Sequence, residues 1–385
     1  MVKERDFSNL RRFPGETGNL FDVILHGLEK IERIPWPVFG ILLLGLAGLV
    51  SWFNVSIWAI LWGFFLSDWL LIALLPKGAV SYGPPKPPTL LLAVLRSIFI
   101  ILPLPAFLIL QIIGTLLVIE SFWIEPCRLT ITHQKLESSK FHSARPLRIL
   151  HLGDLHIERK SIREKKLTEA ILSLKPELIL FSGDILNLSY LHDQQAWQVA
   201  RSVISEWQAP LGVYVVSGSP AVDLPEIMPD LIKGLPVRWL QNDKVPLEFE
   251  GASFNLIGLS CTHRPQLDGP KLAELLQGKD DCFTILLYHS PDLAPVAARL
   301  GIDLQLSGHT HAGQVRLPLI GALFTGSLYG KIFEAGRVQL NKMTLYITRG
   351  IGMEGAAAPR LRLLCPAEII LWEICASQQS GEHNP

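Results

Sequence analysis

Two histidines, His309 and His311, stand one residue apart directly after the apolar run 303–306. Asp154 and His156 repeat this spacing after another apolar stretch. In an extended segment, side chains at i and i+2 leave the same face of the backbone, about 7 Å apart. That separation suits two neighbouring metal ions about 3.5–4 Å apart better than it suits a single ion. The two pairs therefore predict metal chemistry.

Two further candidate ligands also end apolar stretches. Asp184 follows residues 177–183 and could bridge two ions, and His289 follows residues 283–288. Carboxylate oxygens mixed with imidazole nitrogens suit Mn, Fe or Zn better than Ca or Mg. Taken singly, a histidine at a strand end is more often a hydrogen-bonded surface residue. Because all six residues recur in order after apolar segments, we predict a centre of two divalent metal ions of one of these kinds.

The segments that carry these residues alternate between strand-like and helix-like patterns. Strands are predicted at 146–154, 177–184, 212–219, 283–290 and 303–311, and helices at 161–176 and 194–207. Such alternation predicts an α/β domain with helices outside the sheet and a ligand site beyond the carboxyl ends of the strands. Residues 337–350 and 367–374 are predicted to add a second sheet.

Four short blocks resemble the calcineurin-like metallophosphoesterase superfamily. They read GDLHIE, SGDILN, YHSPD and SGHTHAG, and the resemblance extends over about residues 147–374. The stretches SGHTHAGQVRLP and LYITRGIG are more narrowly similar to a membrane-anchored bacterial branch that includes UDP-2,3-diacylglucosamine hydrolase-like proteins. The resemblance implies a two-sheet αββα sandwich of the metallophosphoesterase type.

The resemblance also implies a set of catalytic metal ligands. One ion would be held by Asp154, His156, Asp184 and His311, and a second by Asp184, His289 and His309. A hydroxide bridging the two ions would be the nucleophile. The implied function is a membrane-anchored phosphohydrolase that cleaves a phosphoester or diphosphate bond, with a lipid-linked substrate as one option.

One block departs from the family pattern. Where the family has Gly-Asn-His, this chain has Gly218, Ser219 and Pro220. The family's Asn supplies an amide oxygen to the second ion, and its His stabilises or protonates the leaving oxygen. Serine is too short to replace that amide fully, and proline has no side-chain donor. Two functions stay open: a working hydrolase, or a non-catalytic relative that binds metal and a phosphorylated ligand or partner.

Other polar residues could compensate for the missing acid or hold a phosphate. Asp223, His192 and His263 are candidate acids, although residues of these types in loops more often have no catalytic role. Arg349 and Arg360 could bind a substrate phosphate bidentately, although solvated surface arginines are common.

The composition indicates a membrane protein rather than a nucleic-acid-binding one. Lys+Arg and Asp+Glu both number 35, so no net charge attracts a nucleic acid, and none is expected as a partner. Hydrophobic residues make up 49% of the 385 residues, and the mean hydropathy is +0.32. The five cysteines are scattered and never form a CxxC pair, which argues against a disulfide framework or a zinc ribbon.

About three transmembrane helices are predicted in the first third. Residues 37–75 are long enough for two spans with a turn near 51–56, and a third span is predicted at about 97–119. Asp68 lies inside a span and could be functional or could help helices pack. The predicted division is an N-terminal segment (1–35), a transmembrane region (36–120), a linker (121–145), a metallophosphoesterase domain (146–375) and a disordered tail (376–385).

Basic residues determine the predicted orientation. Residues 1–35 and 76–96 carry nine Lys and Arg residues, whereas the first turn carries none. By the positive-inside rule the N-terminus is therefore cytoplasmic. Three spans would then place the catalytic domain outside the cytoplasm. The expected partners are the lipid bilayer and a phosphorylated substrate.

Overall fold

The computed structural model describes residues 2–16, 18–278 and 281–377. The first third contains the helices α1 (Leu20–Glu32), α2 (Trp36–Val50), α3 (Val55–Ala73), α4 (Lys86–Ser97) and α5 (Leu104–Ile119). Two helical stretches are long and apolar enough to cross a membrane, Val55–Ala73 and Leu104–Cys127. A third crossing is added if Val23–Glu32 and Trp36–Val50, which meet at a bend of 105°, count as one span. The predicted tail lies, from residue 378 onward, outside the described residues.

The apolar helices of the first third form two hairpins that open toward the same end. Trp58 in α3 donates its indole N–H to the carbonyl of Leu44 in α2 at 3.2 Å, so α2 and α3 pack side by side across a short turn. At the other end of α3, the carbonyl of Leu71 accepts from the indole of Trp123, just beyond α5, at 3.0 Å. Lys86, at the start of α4, contacts the end of α1. The end of α1, the end of α3, the start of α4 and the end of α5 therefore lie at one end of the helical bundle.

The third span, predicted at about 97–119, begins earlier in the sequence than the helix α5 does. Ser97 ends α4, residues 98–103 turn the chain, and α5 begins at Leu104. Pro103 caps α5 and Pro105 lies in its first turn, where the missing N–H of proline costs no helical hydrogen bond. The prolines therefore start a helix, and α4 and α5 form the second hairpin.

Asp68 pairs with Arg96 inside this helical bundle. Its carboxylate accepts from Arg96 Nε at 2.6 Å and from Arg96 Nη2 at 2.7 Å. The same guanidinium donates to the carbonyl of Gln111 at 2.7 Å and to Thr115 Oγ1 at 2.9 Å. Asp68 is fully buried, and its charge is neutralised within the protein. These contacts favour a helix-packing role for Asp68 over a catalytic one.

We expect Arg96→Ala to destabilise the protein strongly. Removing one partner of a buried ion pair leaves an uncompensated charge, which costs about 3–5 kcal/mol. Thermal unfolding of the full chain in detergent measures this loss. Arg145→Ala is the matched control, because Arg145 pairs with Glu177 and Glu250 at the surface with a side chain that is 51% exposed. Equal losses in the two variants would contradict the packing role.

The remainder of the described chain contains two six-stranded sheets. The strands are β1 (Leu129–Ser138), β2 (Leu147–Leu152), β3 (Leu178–Phe181), β4 (Val213–Val215), β5 (Arg238–Trp239), β6 (Asp243–Phe249), β7 (Ala252–Gly258), β8 (Phe283–Leu287), β9 (Leu304–Ser307), β10 (Arg316–Leu317), β11 (Gly321–Ala322), β12 (Gly336–Leu340), β13 (Met343–Ile347) and β14 (Ala367–Ala376). The first sheet has the order β1-β14-β2-β3-β4-β5, and the second has the order β12-β13-β9-β8-β7-β6. β2 to β5 are parallel neighbours, as are β7, β8, β9 and β13. A short antiparallel pair, β10 and β11, stands apart.

The two sheets face each other, and helices cover their outer faces. The helices are α6 (Ile162–Leu174), α7 (Gln194–Ser205), α8 (Met228–Ile232), α9 (Pro265–Leu275) and α10 (Ala294–Arg299). Trp372 and Phe254 lie in the apolar core between the sheets. Leu167 of α6 and Ala200 of α7 pack in a core with the first sheet, and Leu272 of α9 packs with the second. This is the αββα sandwich that the resemblance implied.

Local capping signals explain where the helices behind the site begin. Ser161 and Glu164 form a capping box at the start of α6, and Asp193 accepts from the N–H of Ala196 at 2.9 Å at the start of α7. Such caps satisfy N–H groups that have no partner within the helix. Both helices lie within the residue ranges predicted for them.

Two segments differ from their predicted places. The predicted linker contains β1, which pairs in parallel with β14 from Leu129↔Ala367 to Ser138↔Ala376. β1 is an edge strand with alternating exposure, and its polar residues gave it the composition of a linker. The prediction that residues 367–374 join the second sheet is wrong, because β14 pairs with β1 and β2 in the first sheet.

The N-terminal segment packs against the α/β domain. Phe13 is fully buried, Glu16 forms an ion pair with Arg264, and Glu4 pairs with Arg299 at 3.1 Å. Residues before α1 and the α/β domain therefore lie on one side of the helical bundle.

Candidate metal centre

The predicted ligands converge where the carboxyl ends of the two sheets meet. The first sheet supplies Asp154 and His156 after β2 and Asp184 after β3, and the second supplies His289 after β8 and His309 and His311 after β9. Neighbouring parallel strands end at the same sheet edge, so these turns all face one space. The structure thus brings together the residues that the sequence singled out.

The ligand-bearing turns adopt unusual backbone conformations. Positive φ angles occur at Asp154 (52°), His156 (42°), Asp184 (63°), His309 (72°) and His311 (49°). A residue other than glycine in this left-handed region costs of order 1–3 kcal/mol and persists only where its surroundings hold it. Such strain concentrates at functional sites. Each turn directs a polar side chain into the space between the sheets.

A first cluster contains Asp154, His156 and His311, whose candidate ligand atoms lie within 4.8 Å of one another. The Nε2 atoms of His156 and His311 are 3.0 Å apart. Asp184 Oδ2 lies 3.6 Å from His156 Nε2. Asp154 Oδ1 accepts from the N–H of His309 at 2.9 Å, whereas its Oδ2 is buried with no hydrogen-bond partner within the described residues.

A second cluster contains His263, His289 and His309, again within 4.8 Å. Asp184 Oδ2 lies 3.3 Å from His289 Nε2, so this carboxylate stands between the two clusters. Ser219 Oγ is 3.1 Å from the Nε2 atoms of both His289 and His263. Ser219 therefore occupies the place where the family carries an asparagine, but its shorter side chain contacts the imidazoles.

Backbone carbonyls orient two of these imidazoles. His289 donates from Nδ1 to the carbonyl of Ser182 at 2.8 Å, and His309 donates from Nε2 to the carbonyl of Gly326 at 3.1 Å. A ring nitrogen that donates to a carbonyl leaves the other nitrogen free to bind a metal, which is the usual arrangement of metal-binding histidines.

Asp223, a candidate acid at the sequence level, instead holds two loops together. Its carboxylate accepts from the N–H of Gly218 at 2.7 Å, of Asp184 at 2.7 Å and of Ile185 at 3.0 Å. Burial and the charge of Asp184 raise the pKa of Asp223 to about 6. Asp223 is therefore a positioning residue for Asp184.

Burial and neighbouring charges shift the pKa values of the groups at the centre. Burial raises the pKa of Asp154 to about 6. Burial would also raise the pKa of Asp184, but the charge and hydrogen bond of His289 hold it well below its usual value. Burial lowers the pKa of His309 to about 3 and lowers that of His311 as well, and neutral imidazole is the form that binds metal. Burial would lower the pKa of His289 too, yet the Asp184 carboxylate raises it to about 9.

The donor set fits divalent metal ions, which metallophosphoesterases typically bind. Two carboxylates and several imidazoles face one space, and the orphaned Oδ2 of Asp154 has no other described partner. Mixed oxygen and nitrogen donors suit Mn, Fe or Zn. The division of ligands between two ions stays a prediction, and it places Asp184 between them.

A cavity of about 520 Å³ lies over this centre. Asp184, Ser219 and His309 form part of its wall, and residues 12–16 cover it from the N-terminal segment. Much of the remaining wall is apolar and includes Leu20, Leu25, Val315, Phe324 and Leu361. The cavity therefore offers a metal centre at one face and apolar surface at the others.

Three other candidate residues do not serve the centre. Arg349 donates to Glu368 at 3.1 Å, and Arg360 is buried in an ion pair with Glu158 at 2.6 Å. Both guanidinium groups are paired with carboxylates of the fold, and neither residue belongs to the wall of the cavity. His192 is exposed and lies outside the wall of the cavity.

Sequence reasoning gave two features too little weight. The sequence suggests His263 only as an acid, whereas the structure places it beside His289 and His309. It follows the apolar strand β7 at a greater distance than Asp154, Asp184 and His289 follow their strands, so its spacing is a weaker signal. The covering segment 12–16 carried no signal, because neither its composition nor its spacing indicates where it docks.

Comparisons with known proteins agree with this geometry. Residues 147–313 match the family model of the calcineurin-like phosphoesterases. This part of the chain is therefore similar to the calcineurin-like phosphoesterases, and the match covers the segments that carry the predicted ligands.

Three relatives illustrate the range of the family. The metallophosphoesterase YkuE of Bacillus subtilis is 28% identical over 66% of this chain and 87% of its own length. The phosphodiesterase YaeI of Escherichia coli is 27% identical over 65% of this chain and 90% of its own. The UDP-2,3-diacylglucosamine pyrophosphatase LpxG of Chlamydia trachomatis is 22% identical over 64% of this chain and 90% of its own.

Proposed function

We propose that this protein is a membrane-anchored phosphohydrolase with two metal ions, which cleaves a phosphoester or diphosphate bond. The observation that carries the proposal is the position of Asp184, whose Oδ2 lies 3.6 Å from His156 Nε2 and 3.3 Å from His289 Nε2. A carboxylate between two imidazole clusters has the placement of a ligand shared by two ions. The match to the family supports phosphoester hydrolysis in general.

The residues of the chain would determine where this chemistry occurs. Bound divalent ions would act as Lewis acids on phosphoryl oxygens and lower the pKa of a water molecule. Asp223 fixes the turn that carries Asp184. Residues 12–16 cover the cavity and limit the access of bulk water. Arg12 in this cover belongs to the cavity wall, and its guanidinium would pair with a substrate phosphate.

A phosphorylated substrate with an apolar part, such as a lipid-linked diphosphate, is the proposed substrate class. The apolar wall of the cavity supports this proposal. Leu361, part of that wall, also packs in a cluster with Leu75 and Trp123 at the ends of the membrane helices. The cavity is thus close to the membrane layer. One relative, LpxG of Chlamydia trachomatis, is named a UDP-2,3-diacylglucosamine pyrophosphatase.

Turnover of an activated aryl phosphodiester by the full chain in detergent, supplied with Mn²⁺ or Zn²⁺, tests the proposal. We expect measurable hydrolysis that His156→Asn reduces by more than about 100-fold, since even partners behind the ligands contribute 10–100-fold. His192→Asn is the matched control and should keep its rate, because His192 lies outside the cavity wall. Equal rates in both variants would reject the assigned centre.

A second candidate function is non-catalytic binding of metal and a phosphorylated ligand or partner. The observation that favours it is Pro220, which provides no donor where the family has a histidine. Metal-loaded protein that hydrolyses neither aryl esters nor diphosphates, yet binds a phosphorylated lipid, would support this candidate over the first.

We also propose that the N-terminal segment and the catalytic domain share the cytoplasmic side of the membrane. The hairpin tips at 51–54 and 98–103 carry no Lys or Arg, whereas residues 2–35 and 74–86 carry eight. By the positive-inside rule the basic side is cytoplasmic. This proposal differs from the extracytoplasmic location expected from three spans, because two hairpins would return the chain to the side where it began.

Reporters fused to the two ends of the chain should therefore give the same orientation. We expect a fluorescent protein to be active at both ends in cells, and an enzyme that works only outside the cytoplasm to be inactive at both. Opposite results at the two ends would contradict the paired hairpins. If the enzyme that works only outside the cytoplasm is active at both ends, the paired hairpins are supported, but both ends lie outside the cytoplasm.

A further inference from the structure

His263 lies where the family's missing amide would reach. Ser219 follows β4 at the position of the family's asparagine, and its Oγ is 3.1 Å from His263 Nε2. The same hydroxyl is 3.1 Å from His289 Nε2. The imidazole of His263 therefore fills the space beside the second cluster that a longer side chain at position 219 would occupy.

The backbone and surroundings of His263 resemble those of the predicted ligands. Its φ angle is +59°, in the same left-handed region as most of them. It is 1% exposed, and its ring centre is 4.3 Å from that of His309. Its candidate ligand atom lies within 4.8 Å of those of His289 and His309.

A purely structural role for this histidine accounts poorly for its contacts. His263 Nδ1 is buried without a hydrogen-bond partner among the described residues, and an unsatisfied buried polar atom costs about 1–3 kcal/mol. The N-terminal segment nevertheless closes over the ring. A side chain at Gly15 would overlap the imidazole, and Gly15 has a φ of +79°. The Glu16–Arg264 ion pair holds this cover beside His263.

We infer that His263 is a ligand of the second metal ion, in place of the family's amide oxygen; this rests on the proposed two-metal centre. The second ion then has three imidazoles, from His263, His289 and His309, with the carboxylate of Asp184. The first ion keeps two imidazoles and two carboxylates. A nitrogen-rich set of four protein ligands suits Zn²⁺, whereas more oxygen suits Mn²⁺. The two positions therefore differ in metal preference.

Metal content of the full chain in detergent tests this inference. After removal of metal and reloading with Zn²⁺ and Mn²⁺ together, we expect two ions per wild-type chain, with Zn²⁺ favoured in one position. His263→Gln and His263→Ala should each lower the affinity for the second ion by more than about 100-fold and leave the first ion bound. Loss of a direct ligand should exceed the 10–100-fold effect of residues that contact the ligands. His151→Gln, at a buried histidine outside the clusters, should keep both ions.

A double substitution separates ligation from folding. In Ser219→Asn alone, the asparagine should clash with the His263 imidazole and lower the affinity for the second ion. Ser219→Asn combined with His263→Ala should restore that affinity, because the asparagine amide then has room to bind the ion. Two ions bound with wild-type affinity in both His263 variants would overturn the inference and leave the two-metal proposal intact. Fewer than two ions in the wild type would reject the two-metal proposal itself.

A separate observation concerns the tip of the β10–β11 hairpin. Leu319 is fully exposed, and Leu317, Ile320 and Leu323 are also exposed. Soluble surfaces rarely display such contiguous apolar residues unless they contact a membrane or a partner.

Contacts connect this hairpin to the point where α5 leaves the apolar layer. The N–H of Arg316 donates to the carbonyl of Leu363 at 2.9 Å, and the N–H of Arg362 donates to the carbonyl of Ser121 at 3.0 Å. The N–H of Leu364 donates to Glu125 Oε2 at 2.8 Å. The hairpin is therefore continuous with the membrane end of α5.

We propose that the tip 317–320 inserts into the surface of the same bilayer, beside the cavity wall that contains Phe324. The test uses the full chain in liposomes, with the partly exposed Cys127, Cys282 and Cys375 replaced by serine and a polarity-sensitive dye on Leu319→Cys. We expect a blue shift and quenching by brominated acyl chains. The matched control is Leu172→Cys, because Leu172 is 62% exposed near the far end of α6. Equal quenching at the two positions, or quenching at neither, would overturn the proposal.

Discussion

Replacing Asp184 with alanine should remove both metal ions from the purified protein. Its carboxylate lies within 3.6 Å of His156 Nε2 and within 3.3 Å of His289 Nε2, so both ions would lose a ligand and the negative charge between them. By contrast, we expect His311→Ala chiefly to empty the first position and His309→Ala the second. Elemental analysis of each variant after equilibrium dialysis measures the remaining ions.

Asp230→Ala is the control for this experiment. Asp230 is an exposed carboxylate on α8, away from the centre, and its removal should leave both ions. A full complement of metal in Asp184→Ala would contradict the bridging role. Loss of metal from Asp230→Ala as well would show that folding rather than ligation limits the measurement.

The rate should depend strongly on the leaving group, because Pro220 replaces the family's acid. General acid catalysis supplies about 10²–10⁴-fold, and most of this benefit goes to strongly basic leaving oxygens. A phosphate that leaves a diphosphate is a weak base, with a second pKa near ~6, and can depart unprotonated. Diphosphate diesters and aryl esters should therefore turn over at least about 10²-fold faster than alkyl phosphomonoesters.

Pro220→His tests the cause of this preference. A histidine should raise turnover of alkyl esters much more than turnover of diphosphates, because only alkyl leaving groups need the proton. Pro220→Ala is the matched control, since it removes the proline ring without adding a donor. It should not change the turnover of alkyl esters relative to that of diphosphates. Equal gains on both substrates in Pro220→His would reject the leaving-group explanation.

The sequence could identify the residues that converge at the candidate centre because they follow a local rule. Each of the six residues ends an apolar strand, and the carboxyl ends of parallel strands lie at one edge. The approximate strand and helix positions were predictable for the same reason. The i, i+2 pairs were not, however, aligned on one face of an extended strand. Asp154, His156, His309 and His311 all have positive φ, so tight turns rather than strand geometry aim their side chains.

The features that the sequence did not predict depend on contacts between distant segments. β1 reads as a polar linker, and only its pairing with β14 makes it a strand. The hairpin of α4 and α5 depends on Arg96, whose charge is tolerated because Asp68 and Gln111 surround it. The docking of residues 12–16 over the centre arises from shape and from one ion pair, and neither leaves a pattern in the local sequence.

Turnover measured as a function of bound metal is the most direct test of the central claim. Metal-free full-length protein in detergent is titrated with Zn²⁺ or Mn²⁺ while hydrolysis of an activated phosphodiester and the bound metal are both followed. The two-metal account predicts that the rate rises to a plateau at two bound ions per chain and that Asp184→Ala gives no rise. A full complement of bound metal without turnover, or a plateau at one ion, would contradict it.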